Sequence, residues 1–142
     1  MRSMGLDIGE VRIGIALSDE TGLIAQGLSM LTRKGWEKDL QYLVESSNKY
    51  EVNQFVIGYP LNLDGLPGKQ AQKVSDFASR LKEVTPLTVI LWDERFTSLS
   101  AERILIEGGV RRAKRKKVID QMSASIMLQS YLDSQNINDL NS

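Results

Sequence analysis

Asp7 lies in "GLDIG", a carboxylate in a run that otherwise reads as a buried strand, with a glycine two residues to either side. On a strand, Gly5, Asp7 and Gly9 share one face while Leu6 and Ile8 take the other. The carboxylate then stands on a patch bare of neighbouring side chains, where a phosphate or a metal ion can approach closely. The plain alternative is a buried Asp bonded to a nearby turn, since an unpaired buried carboxylate is costly. A second pair of acids, Asp93 and Glu94 in "LWDERFTS", follows directly on another apolar stretch. In open sheets, ligands gather beyond the carboxyl ends of parallel strands. As a purely structural feature, acids ahead of Thr97 and Ser98 also suit the start of a helix. The third candidate is Asp120 in "KKVIDQMSASIMLQSYL". On a helical wheel it lines up with Ala124, Met127 and Tyr131, which aims the carboxylate toward the sheet.

The chain has no His and no Cys among its 142 residues. That removes Ser-His-Asp and Cys-His catalysis and the usual zinc sites. Acids from a first strand, a strand end and a final helix then point to a site for one or two hard, oxygen-loving ions, Mg²⁺ or Mn²⁺. Two such ions can activate a water and stabilise the leaving oxygen of a phosphodiester.

The charge distribution names a partner for that chemistry. Net charge is zero, yet "RRAKRKK" packs Arg111, Arg112, Lys114, Arg115, Lys116 and Lys117 into seven positions, leaving twelve basic against eighteen acidic residues elsewhere. A basic block on an otherwise acidic protein is an electrostatic footprint for a polyanion. It leads into the helix that carries Asp120, so it can deliver a nucleic-acid backbone to the carboxylates; the plain alternative is a solvated loop. Between a Gly-Gly stop and the last helix, the run reads as a mobile loop that orders on binding. Arg12, Asp93 and Arg95 are candidate accessory residues, and if the run is only a solvated face the phosphate path is to be sought first at Arg12, Lys69 and Arg95. The loop "PLNLDGLPG" offers Asn62 and Asp64 to phosphate or metal-bound water. Gly9, Gly58, Gly65 and Gly68 permit close backbone approach.

These residues need elements to hold them. Arg2 to Ile8, Arg12 to Ser18 and Leu23 to Leu31 read as a three-strand meander, with Ile13, Ile15 and Leu17 alternating against Gly14, Ala16 and Ser18. Gly27 marks a bend in the third strand. A helical stripe over Trp36 to Lys49, a strand over Gln54 to Tyr59, a helix over Gln70 to Val84 and a strand over Leu87 to Trp92 follow. Helices are expected over Leu99 to Glu107, stopped by Gly108 and Gly109, and from about Lys116 to Leu132. The order predicts an α/β fold: a mixed five-stranded sheet, an antiparallel meander plus two parallel strands, with helices on both faces. Residues 1–135 form one domain, with a polar tail over 136–142 that frays. Met122, Met127, Trp36, Tyr42 and Phe77 are expected in the core. With neither a transmembrane run nor a signal-peptide pattern, the expected location is the cytoplasm and no membrane partner is implied.

"GLDIGEVRIGIALSD", "VIGYPLNLDG", "WDERFTS" and "KRKKVIDQMSASIMLQSYLD" together resemble the YqgF/RuvX family over nearly the whole chain. The resemblance implies the RNase H-like fold and one of two activities, maturation of precursor 16S rRNA or resolution of Holliday junctions in branched DNA. It assigns Asp7 as the first-strand acid, Glu94 rather than Asp93 as the acid of the "DER" motif, and Asp120 as the acid before the small-residue helix. Monomer and homodimer both stay open; a resolvase, which cuts two strands symmetrically, needs a two-fold dimer. Two rivals stand beside this reading. "DIG" also resembles the phosphate loop of sugar kinases and actin-like ATPases, but those need two such domains, and no G-x-x-x-x-G-K-[ST] loop is present. The other is a nucleic-acid-binding module without catalysis, working in ribosome biogenesis or transcription.

Overall fold

The computed structural model describes residues 1–62, 64–93 and 112–140. Strand β1 spans Ser3–Ile8, β2 Arg12–Ser18, β3 Ala25–Thr32, β4 Gln54–Tyr59 and β5 Thr88–Asp93. Helix α1 spans Trp36–Lys49, α2 Lys69–Val84 and α3 Arg112–Leu140. The five strands form one sheet in the order β3-β2-β1-β4-β5. The β1, β2 and β3 neighbours run antiparallel; β1 with β4 and β4 with β5 run parallel. The mixed sheet expected from the element order is therefore the one found. The expected bend at Gly27 is a β-bulge: Ile15 pairs with Ser29 but Ala16 with Gly27, so Leu28 is passed over.

Strand alternation divides the core into two layers. Met4, Leu6 and Ile8, then Ile13 and Ile15, face α1 and α2, where Leu40, Leu43, Val74, Phe77 and Leu81 complete one cluster. Ala16, Val56, Ile90 and Trp92 face α3 and pack with Ala124, Met127, Leu128 and Tyr131. Among the residues expected in the core, Phe77 and Met127 are fully buried, whereas Trp36, Tyr42 and Met122 are exposed. Trp36 opens α1 and lies at the rim, with its ring 5.5 Å from that of Phe77. An aromatic at the end of an amphipathic stripe can lean on the core without entering it.

Helix α3 departs most from the sequence reading. It starts at Arg112, before the expected Lys116, and continues past Leu132 to Leu140. The basic run from Arg112 onward is thus helical rather than a loop, because Ala, Lys and Arg all favour helix and neither Gly nor Pro interrupts them. At the far end, the Gln129 amide bridges the Ala25 N–H and the Leu23 carbonyl, at 2.8 and 2.9 Å. Asn136 donates to the Gly22 carbonyl at 3.3 Å. These contacts tie the second half of α3 to the β2–β3 turn and carry the helix into the stretch expected to fray. The helix expected over 99–107 lies outside the described residues.

Gly5 shows how closely α3 lies on the sheet. A Cβ at Gly5 would fall 2.8 Å from the Leu128 Cβ, closer than real Cβ atoms approach. Gly5→Ala is therefore expected to overpack this layer and cost about 1–3 kcal/mol. A lower chemical-denaturation midpoint with an unchanged m value is the predicted result; an unchanged midpoint would mean that α3 yields there without cost.

Candidate active site

Asp7 sits in β1 directly opposite Gly14 of β2. It is half-buried, on the face that α3 covers. A Cβ at Gly14 would lie 3.6 Å from the Asp7 Cβ, 3.4 Å from the Ala124 Cβ and 3.5 Å from the Met30 sulfur. Gly14 thus leaves a small hollow, walled by Asp7, Met30 and Ala124, that any larger residue would fill. The bare patch expected around Asp7 is only partly bare: Leu128 covers Gly5, and that glycine serves helix packing rather than ligand access. Because Leu128 lies against Gly5 and Ala124 against Gly14, α3 runs antiparallel to β1 and brings its earlier turns toward the Asp7 end. Position 120 lies one turn before Ala124, about 6 Å along the axis.

One and two strands away, the same row continues through Gly58 of β4 and Trp92 of β5, which pair with each other. Gly58 leaves the sheet without a side chain between Asp7 and Trp92, a span of about 10 Å across two strand spacings. Asp93 takes the opposite parity, that of Val89, and so stands on the α1/α2 face away from Asp7. The alternation removes Asp93 from the Asp7 side, a distinction the order of residues alone left open. Glu94 and Arg95 lie outside the described residues, as does Arg111. Asp120 and Arg112, Lys114, Arg115, Lys116 and Lys117 are placed along α3 by their backbone. Among the described side chains, no three acids gather into a metal-binding group.

The turn that follows Asp7 is held from several directions. The Gly9 N–H donates to the Arg12 carbonyl at 2.9 Å, and a Cβ at Gly9 would lie 2.7 Å from that oxygen. Gly9 is thus required by the turn itself. Arg12, next to it, is exposed at the start of β2. Arg33 donates from its backbone N–H to the Val11 carbonyl at 2.9 Å and from Nη1 to the Gly9 carbonyl at 3.0 Å. Gln70 of α2 donates to the Ile8 carbonyl at 3.1 Å, and Lys73 pairs with Glu10 at 2.7 Å. That last pair is exposed, and its ammonium draws the Glu10 carboxyl below the usual range.

Arg33 is itself held by Asp39, which is only 1% exposed. Its Nε donates to Asp39 Oδ2 at 3.1 Å, while the Lys34 N–H donates to Oδ1 at 3.0 Å. The guanidinium also lies over the Phe77 and Trp36 rings, 5.4 and 5.9 Å from their centroids. Sequence reasoning passed over this pair. Its trace is a carboxylate beside Leu40 and Leu43 on the apolar stripe of α1, where a charge needs a partner. The β4–α2 loop has a local explanation: Asp64 Oδ1 accepts the Leu66 N–H at 2.9 Å, closing an Asx turn. The Asn62 side chain lies against Gly68, where α2 begins, and Lys69 opens that helix.

A match to the family described as "RuvX: Holliday junction resolvase" covers residues 1–134. The chain belongs to the RuvX family. A RuvX relative from Thermoanaerobacter pseudethanolicus is 48% identical over 136 residues, covering 95% of this chain and 98% of its own. One from Syntrophomonas wolfei is 50% identical over 133 residues and covers 94% of each chain. Both carry the name "Putative pre-16S rRNA nuclease". Among solved structures, Thermus thermophilus RuvC in complex with a Holliday junction substrate aligns with a TM-score of 0.60 at 12% identity, covering 95% of both chains. The fowlpox virus Holliday junction resolvase aligns with a TM-score of 0.56 at 15% identity, over 94% of this chain and 99% of its own. At such identities the likeness shows the fold, which is RNase H-like. Among the described residues, no helix is long and apolar enough to cross a membrane.

Proposed function

We propose that this RuvX protein is a divalent-metal-dependent endonuclease that hydrolyses phosphodiester bonds of structured nucleic acid, and that its substrate is precursor 16S rRNA. Asp7, Glu94 and Asp120 are the proposed metal ligands. The observation that carries the reading is Asp7 itself, half-buried on β1 beside the Gly14 hollow and facing α3 one turn from position 120. The donor set fits the ion: three carboxylates offer only hard oxygens, and the chain has no imidazole or thiol to recruit zinc. When bound, Mg²⁺ or Mn²⁺ supplies Lewis-acid stabilisation of the phosphodiester oxygens and a nucleophile from water. Asp7 supplies charge from a rigid strand, and the hollow over Gly14 leaves room beside it. Asp93 points to the other face, so the assignment at the end of β5 goes to Glu94. The basic start of α3 tracks the phosphate backbone.

The choice of rRNA rests on relatives close to half identical over almost their entire length. The family description supports a second reading, the Holliday junction. A side-by-side assay on precursor 16S rRNA and a four-way DNA junction, each with Mg²⁺ and with Mn²⁺, separates the two. Cleavage of the rRNA precursor at the mature 5′ end, with the junction intact, is the expected result. Symmetric nicking of the junction by a dimer would reverse the assignment. Binding to either without cleavage under both metals would favour a non-catalytic module.

A further inference from the structure

We infer that Arg33 and Asp39 form a clamp that positions Asp7 for the reaction by fixing the β1–β2 turn; this rests on Asp7 being a metal ligand. Just beyond Asp7 the strand leaves the ladder for the β1–β2 turn. The partner of Asp7 across the ladder is Gly14, the last ladder pair is Ile8 with Ile13, and Gly9 follows at once. Gly9, two residues after the carboxylate, would permit wider backbone excursions than another residue if nothing held the turn. A carboxylate that shares a cation with two others must keep its place within about 0.5 Å. Arg33 ties that turn down. Its main chain holds the Val11 carbonyl at 2.9 Å and its side chain the Gly9 carbonyl at 3.0 Å, so one residue grips both halves of the turn.

The chemistry of the pair suits the task. Guanidinium is a planar fork that can bind two acceptors in fixed directions at once. Here one edge is set by Asp39 and another nitrogen reaches Gly9. Packing over Phe77 and Trp36 restricts the remaining freedom of the group. Asp39 also neutralises Arg33, so the turn is gripped without adding net charge that would oppose metal binding. The exposed Lys73–Glu10 pair and the Gln70 contact grip the same turn from α2. Helix α2 and the β3–α1 connection therefore both reach the residues just after Asp7. Arg33 is a positioning residue: it acts through the Gly9 carbonyl.

Two variants test the clamp, alongside Asp7→Asn. Arg33→Lys keeps a positive charge beside Asp39, but a single ammonium replaces the two-directional fork. The double variant Arg33→Met with Asp39→Leu removes both charges together, so neither is left buried alone; such apolar replacements commonly preserve or raise stability. For each, kcat and KM on precursor rRNA are measured with Mn²⁺ well below the melting temperature, together with hydrogen exchange of the Gly9 amide in the metal-free protein. We expect kcat to fall about 10- to 100-fold, as for a misplacement of about 1 Å. KM should stay within about twofold, and Gly9 exchange should accelerate, even where the double variant melts no lower than the parent. A residue serving stability alone would leave kcat of the folded protein unchanged. Unchanged kcat and Gly9 exchange in the double variant would overturn the inference, including where Arg33→Lys fails to fold. If Asp7→Asn still cleaves, the site reading itself falls, and the clamp with it. If Asp7→Asn is inactive while the clamp variants cleave normally, only the clamp is lost.

Discussion

Asp7→Asn is expected to reduce phosphodiester cleavage by about 10³-fold or more, equivalent to about 4 kcal/mol of transition-state stabilisation, while nucleic-acid binding is retained or tightened. The amide is nearly the same size as the carboxylate, so the hollow beside Gly14 and the packing of Ala124 and Met30 should survive the change. What is lost is a formal charge from a site that must hold a doubly charged cation. Binding should not suffer, because the phosphate backbone is repelled by that same carboxylate until metal neutralises it. Single-turnover cleavage rates, filter-binding affinity and a thermal melt on the same preparations separate the possibilities. A variant that melts far below the parent and loses binding and cleavage together would make Asp7 a structural acid. Equal cleavage by both proteins would trace the activity to a contaminant.

The strands that position Asp7 were readable because each layer of the core leaves a periodic mark. Ile13 and Ile15 alternate with Gly14 and Ala16, and the structure puts the two sets on opposite faces. The same alternation placed Asp7 with Gly5 and away from Leu6. What could not be read was the identity of the neighbour on that face. A glycine beside a carboxylate looks like ligand access, yet at Gly5 it is the footprint of Leu128 from the last helix. Spacing alone could not separate Asp93 from Glu94, because parity means something only after the register of β5 on β4 is known. Nor do Arg33 and Asp39 carry a motif: six residues apart, they meet only because β3 ends where α1 begins. The basic run was legible as charge, but the Gly-Gly stop before it suggested a loop, whereas Ala, Lys and Arg favour helix and α3 begins within the run.

That helical setting shapes the second large effect. The first turn of α3 contains no acid. Five cations sit at the positive end of a helix dipole, and those three or four residues apart repel one another. An unliganded helix start of this kind is electrostatically unfavourable, and a polyanion relieves it. Replacing Arg111, Arg112, Lys114 and Arg115 together by alanine should therefore leave the fold intact, since alanine is the best helix former, while binding weakens for every sequence alike. The slope of log affinity against log salt should flatten by roughly 3 on a single strand, at about 0.7 per contact, and by somewhat more on duplex DNA, at about 0.9. Lys116 and Lys117 precede Asp120 by four and three residues and so share its side of the helix. Their replacement should lower kcat as well as affinity, because among the run they are nearest to Asp120 along the chain. Affinity and salt slope both unchanged in the quadruple variant would reduce the run to a solvated helix face, and the phosphate path would then pass first by Arg12, Lys69 and Arg95.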